Sequence, residues 1–459
     1  MMIMMKKILI LTAVATLLGS CGLYGKYKPQ ETVPANLYGE EVAITDSTSL
    51  ADLSWREMFT DAKLQALIDT ALVRNVDLKT IRLNVEKAEA AMIPAKLAYL
   101  PSIALAPQGG FNYVGMNGGV TTKTYTAPAS ASWELDFFGK LTNTKRKAKA
   151  TLEQTRDSEQ AAKTKLIAGV ATTYYSLLML DEQLKIAQAT EKNWEETVRT
   201  ARAMKKAGMM NEAGLAQTEA TYYNIRTTVL TLKESINEAQ NTLCLLLAKT
   251  PQYIERGSLS EAVLPENISV GVPVSILSRR PDVRAAEHEL EGAFYDTNKA
   301  RASFYPQISL SGTAGWTNSV GGAIINPGEF VGSALLSLVQ PIFNKGALIA
   351  NLKAMKANQE IAFLNFQKAI LKAGNEVNLA LDKYQTAKAK SDFYAKQVST
   401  LEVAANSTKL LMKYGNTTYL EVLTAQTTLL NAQLNQVSNK FSEIQSMIEL
   451  YRALGGGQD

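Results

Sequence analysis

Two stretches of nineteen residues carry nearly the same pattern, and together they decide the fold. Residues 95–113 are AKLAYLPSIALAPQGGFNY, and residues 300–318 are ARASFYPQISLSGTAGWTN. Outside these stretches, Asp77 and Asp282 match at the same separation along the chain. Two copies are too few for a solenoid of stacked repeats. The chain is therefore predicted to be one unit duplicated, with a slip of two residues late in each copy.

Proline placement predicts that each unit contains long helices. All 13 prolines lie outside residues 129–250 and 342–459, and a proline costs about 3 kcal/mol inside a helix. Gly208 and Gly415 are predicted to form tip turns that break each stretch into two antiparallel helices. The arm 139–207 would be about 100 Å long at a rise of 1.5 Å per residue, which suits a tube that crosses the periplasm.

The last stretch also has a regular apolar seam. Its apolar residues recur in alternating steps of three and four, which predicts left-handed, coiled-coil packing. The seam consists of Leu420, Leu423, Thr427, Leu430, Leu434, Val437, Phe441, Ile444, Ile448 and Tyr451.

Between the helices the hydrophobic period changes to two, which is typical of strands with one apolar and one polar face. Strands are predicted at about 102–114 and 125–137 in the first copy, and at about 307–318 and 331–343 in the second. About 9–11 tilted residues span a bilayer as a strand. Aromatic residues near the predicted strand ends suit an interfacial girdle: Tyr113, Trp133 and Trp316. A small soluble β domain is the alternative, but the polar faces carry small residues rather than core residues.

The strand count predicts an oligomer. The Gly- and Asn-rich connections GMNGGVTTK (115–123) and NSVGGAIINPGE (318–329) are predicted hairpin loops. Four strands cannot close a barrel, and lipid forbids open strand edges. Two copies would give eight strands with a filled interior, whereas three give twelve strands and a lumen. A trimer is thus the smallest assembly expected to conduct.

The N-terminus predicts export and lipidation. Residues 1–21 are MMIMMKKILILTAVATLLGSC, a positive start and a short apolar run that ends at a cysteine. Residues 1–20 are a predicted signal peptide. The segment LGSC resembles a bacterial lipobox, which implies cleavage before Cys21 and acylation of its thiol and new amino group. An ordinary secretory signal with a chance cysteine is the alternative.

A third segment carries a family resemblance. Residues 272–312, VPVSILSRRPDVRAAEHELEGAFYDTNKARASFYPQISLSG, resemble the diagnostic segment of the TolC-like outer membrane factors, the outer-membrane efflux proteins, in their lipoprotein (nodulation-protein T, NodT) branch. VQPIFNKG (339–346) resembles the family's strand-to-helix exit, and YGNTTYLEVLTAQTTLLNAQ (414–433) its helix-turn-helix near the periplasmic tip. In RRPD, Pro281 and Asp282 suit the first turn of a helix.

The resemblance implies a mostly α-helical protein with a membrane β-barrel. Three copies would form a 12-strand β-barrel in the outer membrane and a 12-helix periplasmic α-barrel. Each repeat, 61–249 and 281–459, would supply long helices and a two-stranded β hairpin. Residues 21–60 would form a lipidated N-terminal wrap, and 250–280 a linker in an equatorial belt.

The resemblance also implies a function. The trimer would be the passive exit duct of a tripartite efflux system for small molecules such as drugs. Its partners would be a periplasmic adaptor (membrane fusion) protein, an inner-membrane pump of the resistance-nodulation-division or ABC class, and outer-membrane lipid. The alternatives are a polypeptide export channel of a type I secretion system and a non-porous, lipid-anchored coiled-coil scaffold.

In TolC-like proteins, carboxylates just after the tip turn line a constriction, and this implies a periplasmic gate. Glu421 falls on one such position and Thr424 on a second that is acidic in some members. In the first copy Gly214 stands at the place that matches Glu421, with Glu212 nearby. A ring of three Glu421 carboxylates would attract cations. A solvated charge at a helix start is the alternative role for Glu421.

The composition excludes several function classes. The chain has one histidine, His288, and no GxxxxGKS/T phosphate loop, so no catalytic triad, multi-histidine metal site or ATPase is expected. We predict no enzyme, no metal and no cofactor beyond the lipid on Cys21. Net charge is +5 without a basic block, which gives no reason to propose a nucleic acid. Met209 and Met210 beside the tip turn could suggest soft-metal handling, but contact with a partner is favoured.

Overall fold

A computed structural model describes residues 25–29, 53–115, 119–262, 279–320, 323–414 and 417–457. The predicted signal peptide, Cys21 and Gly415 lie outside these ranges, as do most of the predicted wrap 21–60 and residues 263–278 of the predicted linker.

The helices repeat in both halves, which confirms the predicted duplication. Helices α4 and α7 each have 67 residues, and helices α5 and α8 each have 35. A short 3-10 turn, Leu259–Glu261, lies between the halves. The helices are α1 Trp55–Met58, α2 Ala62–Arg74, α3 Val76–Leu97, α4 Lys140–Lys206, α5 Glu212–Leu246, α6 Pro281–Ala302, α7 Ala347–Lys413 and α8 Tyr419–Ala453.

The two-residue slip lies earlier than predicted. Gly139 and Gly346 both have positive φ, 72° and 78°, and each immediately precedes a long helix. These two glycines are therefore equivalent, and the slip falls in the strand-to-helix exit rather than late in the unit. At the first exit, Asp136 accepts hydrogen bonds from the backbone N–H groups of Leu141 (2.8 Å) and Thr142 (2.7 Å), which caps the start of α4.

The strands form one antiparallel sheet. Strands β1 and β2 lie end to end along one edge of β3, β3 also pairs with β4, and β4 pairs with β5. The strands are β1 Ser102–Leu105, β2 Gln108–Val114, β3 Val120–Leu135, β4 Gln307–Val320 and β5 Ala323–Val339. The first predicted strand is thus two strands, interrupted before Gln108.

The hairpin loops are shorter than predicted, because β3, β4 and β5 continue into them. Strand β3 begins at Val120 and β5 at Ala323, where loops were expected, and both end before the predicted residues 137 and 343. The side-chain oxygen of Asn318 accepts from the Tyr125 N–H (2.7 Å), and its side-chain nitrogen donates to the Lys123 carbonyl (2.8 Å). The side chain therefore replaces backbone pairing with β3 next to a register shift in β4, where the β3–β4 ladder ends.

The two faces of the sheet differ in chemistry. Ser132, Ser311, Thr313 and Ser333 lie on one face, and the Thr313 and Ser333 hydroxyls are 2.7 Å apart. The opposite face carries large apolar side chains that are exposed: Ile103, Leu105, Phe111, Trp133, Leu310, Trp316, Phe330, Leu336 and Leu338. An exposed apolar face of this size marks a surface that another apolar phase covers.

Apolar and polar residues alternate poorly in the sequence of β5, because apolar side chains lie on both faces of this strand. Val331, Leu335 and Val339 lie on the hydroxyl face, whereas Leu336 and Leu338 lie on the apolar face. Among the described strands, β5 pairs only with β4, so its other edge is open. Within the described ranges, no helix has an apolar stretch long enough to cross a bilayer.

The chain divides into two compact units. The first includes Leu83–Arg156 and Ala285–Gln367 and so contains the sheet, whereas the second includes Asp157–Arg284 and Lys368–Asp459. In the second unit the predicted apolar seam of α8 is confirmed along most of its length, with Leu423, Leu430, Ile444, Ile448 and Tyr451 buried. Leu420, at the start of the seam, is 61% exposed.

Arg280 is a buried charge in the second unit. It precedes α6, which starts at Pro281 as the RRPD motif predicts, and its side chain is only 4% exposed. The guanidinium donates to both carboxylate oxygens of Asp282 (2.7 and 3.0 Å), to Glu376 of α7 (2.8 Å) and to the Ala453 carbonyl at the end of α8 (2.8 Å). Arg280 thus joins the start of α6, the middle of α7 and the end of α8.

Candidate functional site

The tip turn of the first hairpin is built around Gly208. Helix α4 ends at Lys206, and Gly208 has φ +76°. The Gly208 N–H donates to the Lys205 carbonyl (3.0 Å), and the Met209 N–H donates to the Met204 carbonyl (2.8 Å). This pair of bonds is the Schellman motif, which needs a left-handed residue, and glycine adopts that conformation without steric cost.

Glu212 begins the next helix and is paired. Asn211 caps α5 through a hydrogen bond from the Gly214 N–H (2.8 Å). The Glu212 carboxylate forms an ion pair with Lys205 across the turn, and the Glu212 side chain is 74% exposed. Exposed pairs contribute about 0–1 kcal/mol, so this one orients the turn more than it stabilises it. The structure therefore gives Glu212 a local partner.

Glu421 lies in the first turn of the second hairpin's return helix, α8, which starts at Tyr419. Its carboxylate accepts a hydrogen bond from the Thr417 hydroxyl, and the residue is exposed. A carboxylate in a first turn also complements the helix dipole. Counted from the starts of α5 and α8, Gly214 and Glu421 occupy equivalent positions in the two repeats. The two hairpins therefore differ in charge at this position.

A cleft of about 440 Å³ lies between α5 and α8, just behind the tip turns. Its walls contain repeat-equivalent pairs: Gln217 with Thr424, and Thr221 with Thr428. The Thr424 hydroxyl donates to the Leu420 carbonyl (2.9 Å). Among the described residues, no charged side chain lines the cleft, and the lining consists of Gln217, Ala220, Thr221, Asn224, Leu420, Leu423, Thr424, Thr427 and Thr428.

The structure therefore separates the three predicted gate residues. Thr424 lines the cleft, whereas Glu421 and Glu212 do not. Gln217 and Thr221 were missed by sequence reasoning, which searched for carboxylates. The repeat offset that matches Gly208 with Gly415 also matches Gln217 with Thr424, and it could have found them.

Tyr419 connects the start of α8 to the first hairpin. Its hydroxyl donates to the Thr197 carbonyl of α4 (3.3 Å). Burial raises the pKa of the Tyr419 hydroxyl, and a hydrogen bond with Thr218 opposes that rise. The phenol is therefore neutral at physiological pH and serves as a hydrogen-bond donor.

The described part of the tip presents hydroxyl, amide and carboxylate groups. In the part of the chain that the structure describes, no three His, Cys, Asp or Glu side chains are grouped so that they could hold a metal ion.

Comparisons with known proteins match almost the whole chain. The family model described as outer membrane efflux protein matches residues 67–249 and 272–456. The cation efflux system protein CusC of Escherichia coli O6:H1 is 28% identical over 451 residues, which cover 97% of each chain. The probable outer membrane lipoprotein SilC of Salmonella typhimurium is 28% identical over 463 residues, 98% of each chain. The open-state structure of the Neisseria gonorrhoeae MtrE outer membrane channel superposes with a TM-score of 0.83 at 28% identity, over 95% of this chain and 99% of that one.

Proposed function

This chain belongs to the outer membrane efflux protein family. From that membership we propose that three copies form one barrel, without open strand edges, around a channel. It acts as the outer-membrane exit duct of a tripartite efflux system, a transport role rather than an enzymatic one. An adaptor and an inner-membrane pump are its implied partners.

The observation that supports a trimer is a sheet with one apolar face, one hydroxyl face and unpaired strand edges. Its apolar face is exposed and its opposite face is lined by hydroxyl groups. Strands in lipid must pair on both edges, because an unpaired backbone group there costs several kcal/mol. β1 and β2 together occupy one strand position beside β3, so each copy offers four positions. Three copies make twelve, which leaves a lumen onto which the hydroxyl groups face.

The four long helices of each copy supply twelve helices to the periplasmic barrel. Helices α4 and α7, at 67 residues each, are about 100 Å long. A sequence without a phosphate-binding loop has no evident energy source of its own, so transport depends on the pump. We propose a pump of the resistance-nodulation-division class, with an ABC transporter as the alternative. We propose small molecules such as drugs as cargo, and cargo choice belongs largely to the pump.

The membrane anchor is proposed from the sequence alone. Cys21 lies outside the described residues, and its lipidation is supported by the name lipoprotein that the SilC relative carries. The mass of the mature N-terminal peptide decides this point, since an unmodified Cys21 contradicts it.

The duct is tested by electrical recording. The purified full-length protein in a planar lipid bilayer is expected to give discrete conductance steps, because the hydroxyl-lined face would enclose water. Heat-denatured protein at the same concentration is the control. A folded, membrane-inserted protein that gives no steps would support the non-porous scaffold instead.

The gate is tested by removing the one tip carboxylate that follows the second turn. Glu421→Gln keeps the shape of the side chain and removes three negative charges per trimer. We expect the cation-to-anion permeability ratio to fall at least twofold, because a ring of carboxylates concentrates cations.

Glu212→Gln is the matched control for the gate, since it lies at the start of the equivalent helix and already has Lys205 as a partner. It is expected to leave the permeability ratio within experimental error. Equal effects of the two variants, or none in Glu421→Gln, would assign Glu421 to the helix start alone.

A further inference from the structure

A second cavity lies in the helical unit, where α4 of the first repeat meets α7 and α8 of the second. Its volume is about 400 Å³. Part of its wall is apolar and buried, with Val422 and Leu430 each no more than 5% exposed. Glu196 and Lys409 also line it, and both are exposed, so they stand at its outer rim.

Two polar atoms in this wall lack hydrogen-bond partners. Trp194 is 1% exposed, and its indole Nε1–H has no acceptor among the described residues. Gln426 lines the same cavity, and its buried Oε1 has no donor within the described chain. Buried polar atoms are normally hydrogen-bonded, and leaving one unpaired costs about 1–3 kcal/mol.

The two atoms are complementary in kind. The Trp194 indole N–H can only donate a hydrogen bond, and the side-chain amide oxygen of Gln426, Oε1, can only accept one. A hydroxyl group satisfies both, because it accepts one hydrogen bond and donates another. Val422 and Leu430 give a hydrocarbon body an apolar surface to lie against. Polar side chains elsewhere in the lining can hold ordered water, which needs two to four polar partners: Asn193, Thr197, Asn406 and Gln433.

We propose that this cavity is a binding site for an uncharged, amphipathic aromatic alcohol, whose hydroxyl group bridges Trp194 Nε1 and Gln426 Oε1. The ring system lies against Val422 and Leu430. A cavity of about 150 Å³ already holds benzene, so the space here admits two fused rings. Among the described residues, the buried part of the wall carries no charged side chain, so the proposed ligand is uncharged.

Occupancy has a structural consequence. Trp194 belongs to the first hairpin and Gln426 to the second, so a molecule bonded to both connects the two hairpins. Such a ligand stabilises the arrangement of helices that it binds, and it raises the melting temperature by an amount that grows with the logarithm of the free ligand concentration above its dissociation constant.

The site is tested by calorimetric titration of the full-length protein in detergent with 2-naphthol. The comparison ligand is 2-methylnaphthalene, which has the same shape without the hydroxyl group. We expect one 2-naphthol site per chain and at least tenfold weaker binding of 2-methylnaphthalene, because one or two hydrogen bonds are lost.

Variants assign the binding to this cavity. Gln426→Leu removes the acceptor and Trp194→Phe removes the donor, and each is expected to weaken 2-naphthol binding about tenfold. Gln397→Leu, an exposed position on α7, is the control and should bind like the unaltered chain. If Trp194→Phe fails to fold, Gln426→Leu decides, because Gln426 is only half-buried.

Three results would overturn the proposal. They are equal affinity for the two ligands, unchanged affinity in Gln426→Leu, and no heat beyond that of the micelles alone, which would assign the two polar atoms to ordered water. The outcome does not depend on whether the protein conducts, since binding is measured without a membrane.

Discussion

Leu336→Lys is expected to abolish stable insertion of the sheet into lipid, whereas Leu335→Lys is expected to permit it. The two residues are neighbours in β5 with almost the same exposure, 66% and 63%. Leu336 lies opposite Leu310 on the apolar face, and Leu335 lies opposite Ser311 on the hydroxyl face. A lysine on the lipid side of a barrel costs about 2–4 kcal/mol at the bilayer midplane, and a trimer carries three of them.

The measurement is the fraction of each variant that forms membrane-embedded trimers resistant to detergent at room temperature. Leu335→Lys should retain this fraction and place three positive charges in the lumen, which lowers cation conductance. The pair is internally controlled, because residue type, strand and exposure are the same. Equal behaviour of the two variants would mean that the two faces share one environment, and a water-soluble β domain or a scaffold would explain that result.

Much of this arrangement could be predicted from periodicity and repetition. The period-two pattern of residues 307–318 needs only the alternation of side chains along a strand, and the 67-residue helices follow from the long stretches without proline. The extent of β3, β4 and β5 could not be predicted in the same way. It depends on which strands pair across the sheet. Asn318 bonds the backbone of residues almost two hundred positions away, whereas composition alone marks asparagine as a loop residue.

The tip shows the same division. The repeat offset correctly placed Gly214 opposite Glu421, because both follow helix starts that the duplication fixes. The cleft of Gln217, Thr221 and Thr424, and the cavity at Trp194, depend on how α4, α5 and α8 pack. The repeat offset pairs Gln217 with Thr424 in the sequence, but long-range packing decides which side chains line a cleft, and uncharged side chains give no electrostatic signal.

For Arg280, the difference between what the sequence predicts and what the structure shows is largest. The second large expected effect concerns this residue. Its motif, RRPD, predicts a helix start, but nothing local predicts that the guanidinium also bonds Glu376 and the Ala453 carbonyl. Arg280→Ala is expected to destabilise the helical unit by about 3–5 kcal/mol, because it removes the partner of the half-buried Asp282 carboxylate and leaves the Ala453 carbonyl without its donor. The melting temperature, measured as the midpoint of the loss of helical circular dichroism on heating, should fall by roughly 5–10 °C.

Arg279→Ala is the matched control, because Arg279 is the adjacent arginine and is exposed. It is expected to shift the melting temperature by no more than about 1–2 °C, as exposed charges contribute little. Arg280→Lys should fall between the two, since an ammonium cannot reproduce the fork of bonds to Asp282. A melting temperature for Arg280→Ala within error of Arg279→Ala would show that the buried network does not hold the three helices together.

The same network predicts a dependence on acid. Burial opposes ionisation of Asp282, but the hydrogen bonds and charge of Arg280 hold the pKa of Asp282 below its ordinary value. A depressed carboxyl pKa contributes stability that is complete above the unfolded pKa, about 3.9, and is lost as the pH falls through the folded value. The difference in melting temperature between the unaltered chain and Arg280→Ala should therefore be full at pH 6 and smaller at pH 3. A difference that stays constant across this range would attribute the loss in Arg280→Ala to packing rather than to the Arg280–Asp282 charge pair.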